Sequence, residues 1–218
     1  GNGTCRVEGI GMCSDRQVVI PAVSPAGDRV VSIGEEAFYG NSNLRGMVIP
    51  EGVTSIGDRA FAYCSELNSI TIASSVTVIG EYAFSNCDEL TSVDIPNSVD
   101  SIGKYAFNSN KTIEVVVIPE TVKQIEDSAF ANCKNLQYVT IPDSVTDICY
   151  NAFTSSEKLV IKCTRGSYAS SFRIHSKIPC EYLTKPKEDV SARKPRNKST
   201  TTGLSGLSDE ELRVIMEM

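Results

Sequence analysis

Phenylalanine recurs in this sequence every 23 residues, through six copies without an insertion or a deletion. The copies are Phe38, Phe61, Phe84, Phe107, Phe130 and Phe153. An isoleucine stands five positions before each phenylalanine, and an alanine stands directly before it. A constant period between about 20 and 50 residues indicates a repeat architecture. Because one unit cannot bury its own apolar side chains, the units must stack on one another.

Each unit contains two extended pieces and one turn. Segments such as LNSITI (67–72), LTSVDI (90–95) and LQYVTI (136–141) alternate apolar and polar residues, which predicts half-buried strands. Most of them end at an isoleucine–proline pair, and proline cannot continue a strand because it has no amide donor. A shorter extended piece follows, as in SVTVIG, and then a helical or 3₁₀ turn that points alanine and phenylalanine inward. The sequence therefore predicts coils stacked about 4.8 Å apart.

One column of the repeat contains three of the eight cysteines. Read along the chain, this column is Asn41, Cys64, Cys87, Asn110, Cys133 and Ser156. A zinc site needs four ligands that converge on one point, whereas these side chains lie along a ladder. We therefore expect buried free thiols, with no metal and no other cofactor. A disulfide between Cys64 and Cys87 remains the alternative, since adjacent coils bring their Cα atoms to about 5 Å.

The other five cysteines lie mostly near the ends of the chain. They are Cys5, Cys13, Cys149, Cys163 and Cys180. Cys163 ends the strand-like LVIKC, and Cys180 lies in KIPCEYL, which can return beside that strand after the helix-like segment 166–176. The sequence therefore leaves two possibilities open for these residues. Either disulfides link Cys163 to Cys180 and Cys5 to Cys13, or all five thiols are free.

The repeat sets the domain organisation. We expect an N-terminal cap coil at 1–32, the repeat solenoid at 33–159 and a C-terminal cap at 160–184. A basic polar linker follows at 185–206, where residues 185–198 hold six basic and two acidic side chains. Residues 207–218 are predicted to form a short helix, because LSDEELRVIMEM begins with a capping box.

Composition excludes several classes of function. The net charge is −6, so the chain lacks the basic face that nucleic-acid binding needs. No apolar run approaches the roughly 20 residues of a membrane helix. The first residues lack the charged and apolar regions of a signal peptide, so we expect a leader to have been removed. The single histidine, His175, lies in the predicted cap, and the sequence offers no convergent catalytic constellation, so we expect no catalysis.

Segments such as IPNSVDSIGKYAF and AFANCKNLQYVTIPDSV resemble the 23-residue leucine-rich repeats of the BspA-like surface protein family, over about residues 5–183. This resemblance implies a single right-handed coil with a concave parallel sheet, and short strands and helical turns on its other side. It also implies a non-catalytic bacterial protein, secreted or at the cell surface, that binds a host matrix or cell-surface protein. It transfers no site residue, because the family's motif positions are the buried ones.

Candidate binding residues must therefore come from the outward side of the predicted strands. Val115, Val117 and Tyr138 form the only apolar patch that we expect there, and aromatic side chains are favoured at interaction surfaces. Thr140 and Asp94 border it, with Asp94 as a negative edge. The alternatives are that these exposed side chains have no role, and that the protein is a passive spacer displaying other domains.

Overall fold

The computed structural model describes residues 3–9 and 16–183, which form short strands and one helix. The elements are β1 (Thr4–Val7), β2 (Gln17–Val19), β3 (Arg29–Ile33), β4 (Gly46–Ile49), β5 (Ser55–Ile56), β6 (Ser69–Ile72), β7 (Val78–Ile79), β8 (Ser101–Ile102), β9 (Val115–Val117), β10 (Gln124–Ile125), β11 (Tyr138–Thr140), β12 (Asp147–Ile148), β13 (Val160–Cys163), α1 (Tyr168–Ser176) and β14 (Cys180–Tyr182). The chain divides into two units, Gly1–Thr184 and Lys185–Met218. Three expectations concern parts of the chain that lie outside the described residues. They are the linker and helix predicted for 185–218, the possible Cys5–Cys13 disulfide, and the side chain of His175.

Two columns of parallel strands run along the stack. The longer strands form one column, in the order β2-β4-β6 and then β9-β11-β13-β14. The shorter strands form the other, in the order β1-β3-β5-β7-β8 and then β10-β12. Successive coils pair at equivalent positions, as Ile33 does with Ile56 and Ile56 with Ile79. The predicted leucine-rich repeat solenoid with a parallel sheet is therefore confirmed.

The third side of each coil is a chain of β-turns, and the helical turn that we expected there is absent from the described repeats. In one coil, the Ala60 amide donates to the Gly57 carbonyl and the Cys64 amide to the Phe61 carbonyl, at 3.2 Å each. Arg59, the third residue of the first turn, has a φ of 53°. A positive φ at this position is the mark of a type II turn.

Hydrogen bonding between coils explains why these turns replace a helix. The amides of Arg59, Phe61 and Tyr63 donate to carbonyls of the next coil, at 2.8 Å each. A helical turn would direct those amides back along its own backbone. The turns instead form a third ladder along the stack.

The phenylalanines stack face to face through the centre of the solenoid. Neighbouring ring centroids lie 4.9 to 5.8 Å apart from Phe38 to Phe153, with interplanar angles of 14° or less. Phe172 of α1 meets the last ring edge-on at 6.3 Å. The predicted inward phenylalanine column is confirmed, and α1 covers its C-terminal end.

The cysteine column is a column of hydrogen-bond donors. Each side chain donates to the carbonyl of the phenylalanine one coil earlier. The bonds run from Cys64 to Phe38, Cys87 to Phe61, Asn110 to Phe84, Cys133 to Phe107 and Ser156 to Phe130, at 2.9 to 3.2 Å. Thiol, amide and hydroxyl exchange in this column because all three can donate. Asn41, in the first coil, instead accepts bonds from the amides of Asn43 and Leu44.

The predicted strand LTSVDI (90–95) does not form. Within the described structure, residues 91–95 make no backbone hydrogen bond with β6 or β9. The side chains along this gap are less well covered: Ile72 and Ile95 are each 9% exposed, against 1% for Ile49. Aspartate on the outward side is a poor strand former, and the ladder of turns keeps these coils stacked, as in the 2.8 Å bond from the Phe84 amide to Ala106.

Candidate binding surface

The outward side of the longer strands forms a continuous surface, which we call the strand face. Alternation along each strand turns its first and third residues outward and the residue between them inward, as in Val115–Val117, where Val116 is 1% exposed. Because the coils pair in register, outward residues of successive strands lie side by side. The strand face therefore carries two rows of side chains along the stack.

Four of the five predicted binding residues lie together on two paired strands. Tyr138 pairs with Val115, and Thr140 pairs with Val117. The two valines are 48% and 58% exposed, whereas Tyr138 and Thr140 are half-buried. Paired strands hold these positions rigidly, so the surface exists before any partner arrives.

The neighbouring strand β13 extends this group. Val160 pairs with Tyr138, and Lys162 pairs with Thr140. The Lys162 ammonium lies 3.8 Å from the centroid of the Tyr138 ring, the geometry of a cation–π contact. Among the described residues, Lys162 forms no ion pair. We define the valine–tyrosine patch as Val115, Val117, Tyr138 and Val160, with Lys162 above the ring.

Asp94 lies apart from the hydrogen-bonded strands. It is exposed, as expected, but it belongs to the unpaired segment 91–95. No ladder therefore fixes its distance from Val117 in the next coil. The structure assembles the patch without Asp94 as a fixed edge.

The expectation of a single apolar patch is wrong. Val19 of β2 is 69% exposed and pairs with Val48 of β4, which is 38% exposed. Gly46 also faces the strand face, but the Gln17 side chain covers it. Apolar side chains thus occupy both ends of the strand face, and the polar residues of β6 and of segment 91–95 separate them.

Sequence reasoning missed Val160 because the period changes there. Tyr138 and Val160 are 22 residues apart, whereas Val115 and Tyr138 are 23 apart. Extending the 23-residue period would place Ile161 outward, yet Ile161 is fully buried. The alternation within LVIKC is the signal that identifies the outward residue.

The thiols of Cys64, Cys87 and Cys133, which we call the column thiols, are buried in the core. Burial raises the pKa of the Cys64 and Cys133 thiols to about 12, and it raises the pKa of Cys87 well above its ordinary value. These thiols therefore stay protonated and act as donors. In the described part of the chain, no three metal-binding side chains gather into a site.

A separate cleft lies beside the C-terminal cap. Its volume is about 500 Å³, and it is lined by Ile148, Tyr150, Tyr168, Ser171 and Phe172. The Tyr168 hydroxyl donates a 3.4 Å hydrogen bond to Asp147 at its edge. The cleft is mostly apolar, and no predicted binding residue lines it.

Throughout residues 3–9 and 16–183, no helix is both long and apolar enough to cross a bilayer.

Comparison with known proteins agrees with this architecture. The profile of the BspA type leucine rich repeat region, with six copies, matches residues 31–160, more than half of the chain. No curated protein matches the chain in sequence. The leucine rich repeat protein of T. pallidum (TpLRR) is 31% identical, with a TM-score of 0.65; the match covers 69% of this chain and 70% of that protein.

Two further structures share the fold. A leucine-rich repeat protein from Bacteroides ovatus is 28% identical, with a TM-score of 0.56, and the match covers 74% of this chain but 51% of that protein. The pneumococcal vaccine antigen PcpA is 17% identical, with a TM-score of 0.64, and the match covers 79% of this chain and 42% of the antigen. The matched profile and the treponemal structure together show that this chain belongs to the BspA-type leucine-rich repeat family.

Proposed function

We propose that this chain is a non-catalytic binding module, secreted or at a cell surface, whose strand face contacts a protein partner. The valine–tyrosine patch carries this proposal. Val115 and Val117 are about half exposed on rigid paired strands, where they contribute little to the fold. A partner that covered them would remove apolar area from water, the main favourable contribution to most protein association.

Family membership supports a binding role, because solenoids of this kind present extended surfaces to partners. Tyr138 supplies an aromatic anchor of the type that dominates interface energetics. The partner would place an aliphatic or aromatic side chain between Val115 and Val117. The net charge of −6 would favour a basic partner through long-range steering that weakens with salt.

The alternative is a passive spacer that displays other domains at the cell surface. A spacer needs the solenoid but no contact through the strand face. It therefore predicts that charged substitutions in the patch leave all interactions of the protein unchanged.

The experiment is a binding screen of the purified chain on immobilised extracellular-matrix proteins and on epithelial cells. For any protein that binds, Tyr138→Ala and Val115→Asp should each weaken the affinity about tenfold or more, the range of interface hot spots. Thermal melting of both variants should stay close to the parent, since both positions are partly exposed.

Three control variants locate the site. Tyr39→Ala removes a more exposed tyrosine from the side of the turns, and Lys104→Glu reverses a charge on that side. Val19→Asp perturbs the second apolar pair. All three should leave the affinity unchanged. Equal binding by Tyr138→Ala and the parent would move the contact off the patch, and a loss confined to Val19→Asp would move it to the other end of the strand face.

A further inference from the structure

Two cysteines of the C-terminal cap meet sulfur to sulfur. Cys163, the last residue of β13, is buried, and Cys180, the first residue of β14, is half-buried. Their Sγ atoms lie 2.8 Å apart. This separation is within about 1 Å of the roughly 2.05 Å length of a disulfide bond.

The backbone holds both cysteines in place. Strands β13 and β14 pair in parallel, with Ile161 opposite Cys180. The Ile161 amide donates to the Pro179 carbonyl at 2.8 Å, and the Leu183 amide donates to the Cys163 carbonyl at 3.0 Å. The sulfurs therefore meet because the returning strand β14 fixes them.

The column thiols are arranged differently. Cys64 donates to the Phe38 carbonyl at 3.1 Å, and Cys87 donates to the Phe61 carbonyl at 3.2 Å. Each of these thiols thus makes a hydrogen bond with a carbonyl oxygen of the coil before it. In the described structure, Cys163 and Cys180 are the pair whose sulfurs contact each other.

We propose that Cys163 and Cys180 are an oxidation site, at which a disulfide bond closes the C-terminal cap. The oxidant is a low-molecular-weight disulfide. The thiolate of Cys180, the more accessible residue, attacks one sulfur of the oxidant and releases the first small thiol. Cys163 Sγ then attacks Cys180 Sγ, loses its proton and releases the second. The two cysteines lose two electrons and two protons, and the oxidant becomes two thiols.

The bond would close a loop of 17 residues that contains α1. Because Phe172 of α1 covers the end of the phenylalanine stack, the bond would fasten the C-terminal end of the described coils. Disulfides persist in oxidising compartments, so the proposal is compatible with a secreted protein. It does not depend on the proposed binding function.

The test uses the full chain, fully reduced and then equilibrated with excess oxidised glutathione. After the free thiols are alkylated, trypsin cleaves at Arg165 and Lys177, between the two cysteines. Residues 163–165 and the fragment that begins at Ile178 should appear joined, and reduction should separate them. The thermal midpoint should rise by about 5–10 °C on oxidation, as expected for a loop of this size.

Two matched variants complete the test. Cys180→Ser should abolish both the linked fragments and the rise in the midpoint. Cys149→Ser, which removes another half-buried cysteine, should abolish neither. Glutathione retained on Cys180, with Cys163 still free, would overturn the proposal, as would a bond from Cys180 to Cys149. A Cys163–Cys180 bond that did not raise the midpoint would refute its role in closing the cap.

Discussion

Exchanging two residues of the donor column tests the hydrogen bonds of the core. Asn110 is fully buried, and its amide nitrogen donates to the Phe84 carbonyl at 2.9 Å and to the Phe107 carbonyl at 2.8 Å. Its Oδ1 atom is buried without a partner in the described structure. Rotating the amide would set Oδ1 against two carbonyl oxygens, so the orientation is fixed. The cysteines of this column fill the same place without an unpaired oxygen.

We therefore expect Asn110→Cys to leave the free energy of unfolding unchanged or to raise it by up to about 2 kcal/mol. Removing the unpaired oxygen gains about 1–3 kcal/mol, and losing one hydrogen bond costs about 1 kcal/mol. The Phe107 carbonyl keeps its bond from Cys133, at 3.2 Å. The reverse exchange, Cys87→Asn, places an unpaired oxygen in an equivalent site but adds one hydrogen bond, so by the same arithmetic it should be neutral or cost up to about 2 kcal/mol.

The assay is urea unfolding under reducing conditions, with the slope of each transition compared with that of the parent. Asn110→Ala is the control that removes the donor. In the described structure, the Phe84 carbonyl then has no other donor, so this variant should be less stable than Asn110→Cys by about 1–3 kcal/mol. A loss of more than about 1 kcal/mol in Asn110→Cys would show that the thiol does not replace the amide as donor, and a gain of stability in Cys87→Asn would show that the unpaired oxygen carries no cost.

Three further predictions concern the core and the gap in the strand column. Phe84→Ala should lower the free energy of unfolding by about 3–5 kcal/mol, because the ring is stacked on both sides; a melting temperature within a few degrees of the parent would contradict the stack. Cys64 and Cys133 bind their protons more tightly in the folded state, with a pKa near 12 against an ordinary 9.0, so their contribution to stability should fall as pH rises from about 9 towards 12. Replacing both by serine should flatten that fall in urea titrations, and unchanged pH dependence would exclude these thiols as its source. Amides of residues 91–95 should exchange with deuterium much faster than those of β11; equal protection would mean that the strand column closes in solution.

Much of the fold follows from the sequence because the period is constant. A repeat without insertions fixes which residues of successive coils lie side by side, so the phenylalanine and isoleucine columns and the pairing of Val115 with Tyr138 could be predicted. The return of Cys180 beside β13 could also be anticipated, from the strand-like pattern on both sides of a helix-like segment.

The remaining features depend on interactions that a single repeat does not display. The turn at Arg59 has a positive φ, and its amide donates to the Glu81 carbonyl of the next coil rather than along a helix. The alternation in 90–95 matches that of true strands, yet Asp94 stands where the paired strand β6 has Thr71, and aspartate is a poor strand former. Val19 was missed because it lies 29 residues before its partner Val48, six more than the period, and Val160 because the last interval is one residue shorter.

The direction of the three ladders determines how this solenoid would respond to mechanical force. Backbone hydrogen bonds between coils, such as the one from the Phe61 amide to Ala83, run along the stacking axis. A pull on the two ends would therefore load the coil interfaces one after another, and the chain would unzip in steps. Each released coil of 23 residues would add roughly 75 Å of extended chain. The first step should occur between the coil of residues 91–95 and the coil of β9, where β8 and β10 are also unpaired with each other and only the turn ladder is complete, so tension would separate the two apolar ends of the strand face before either half unfolded.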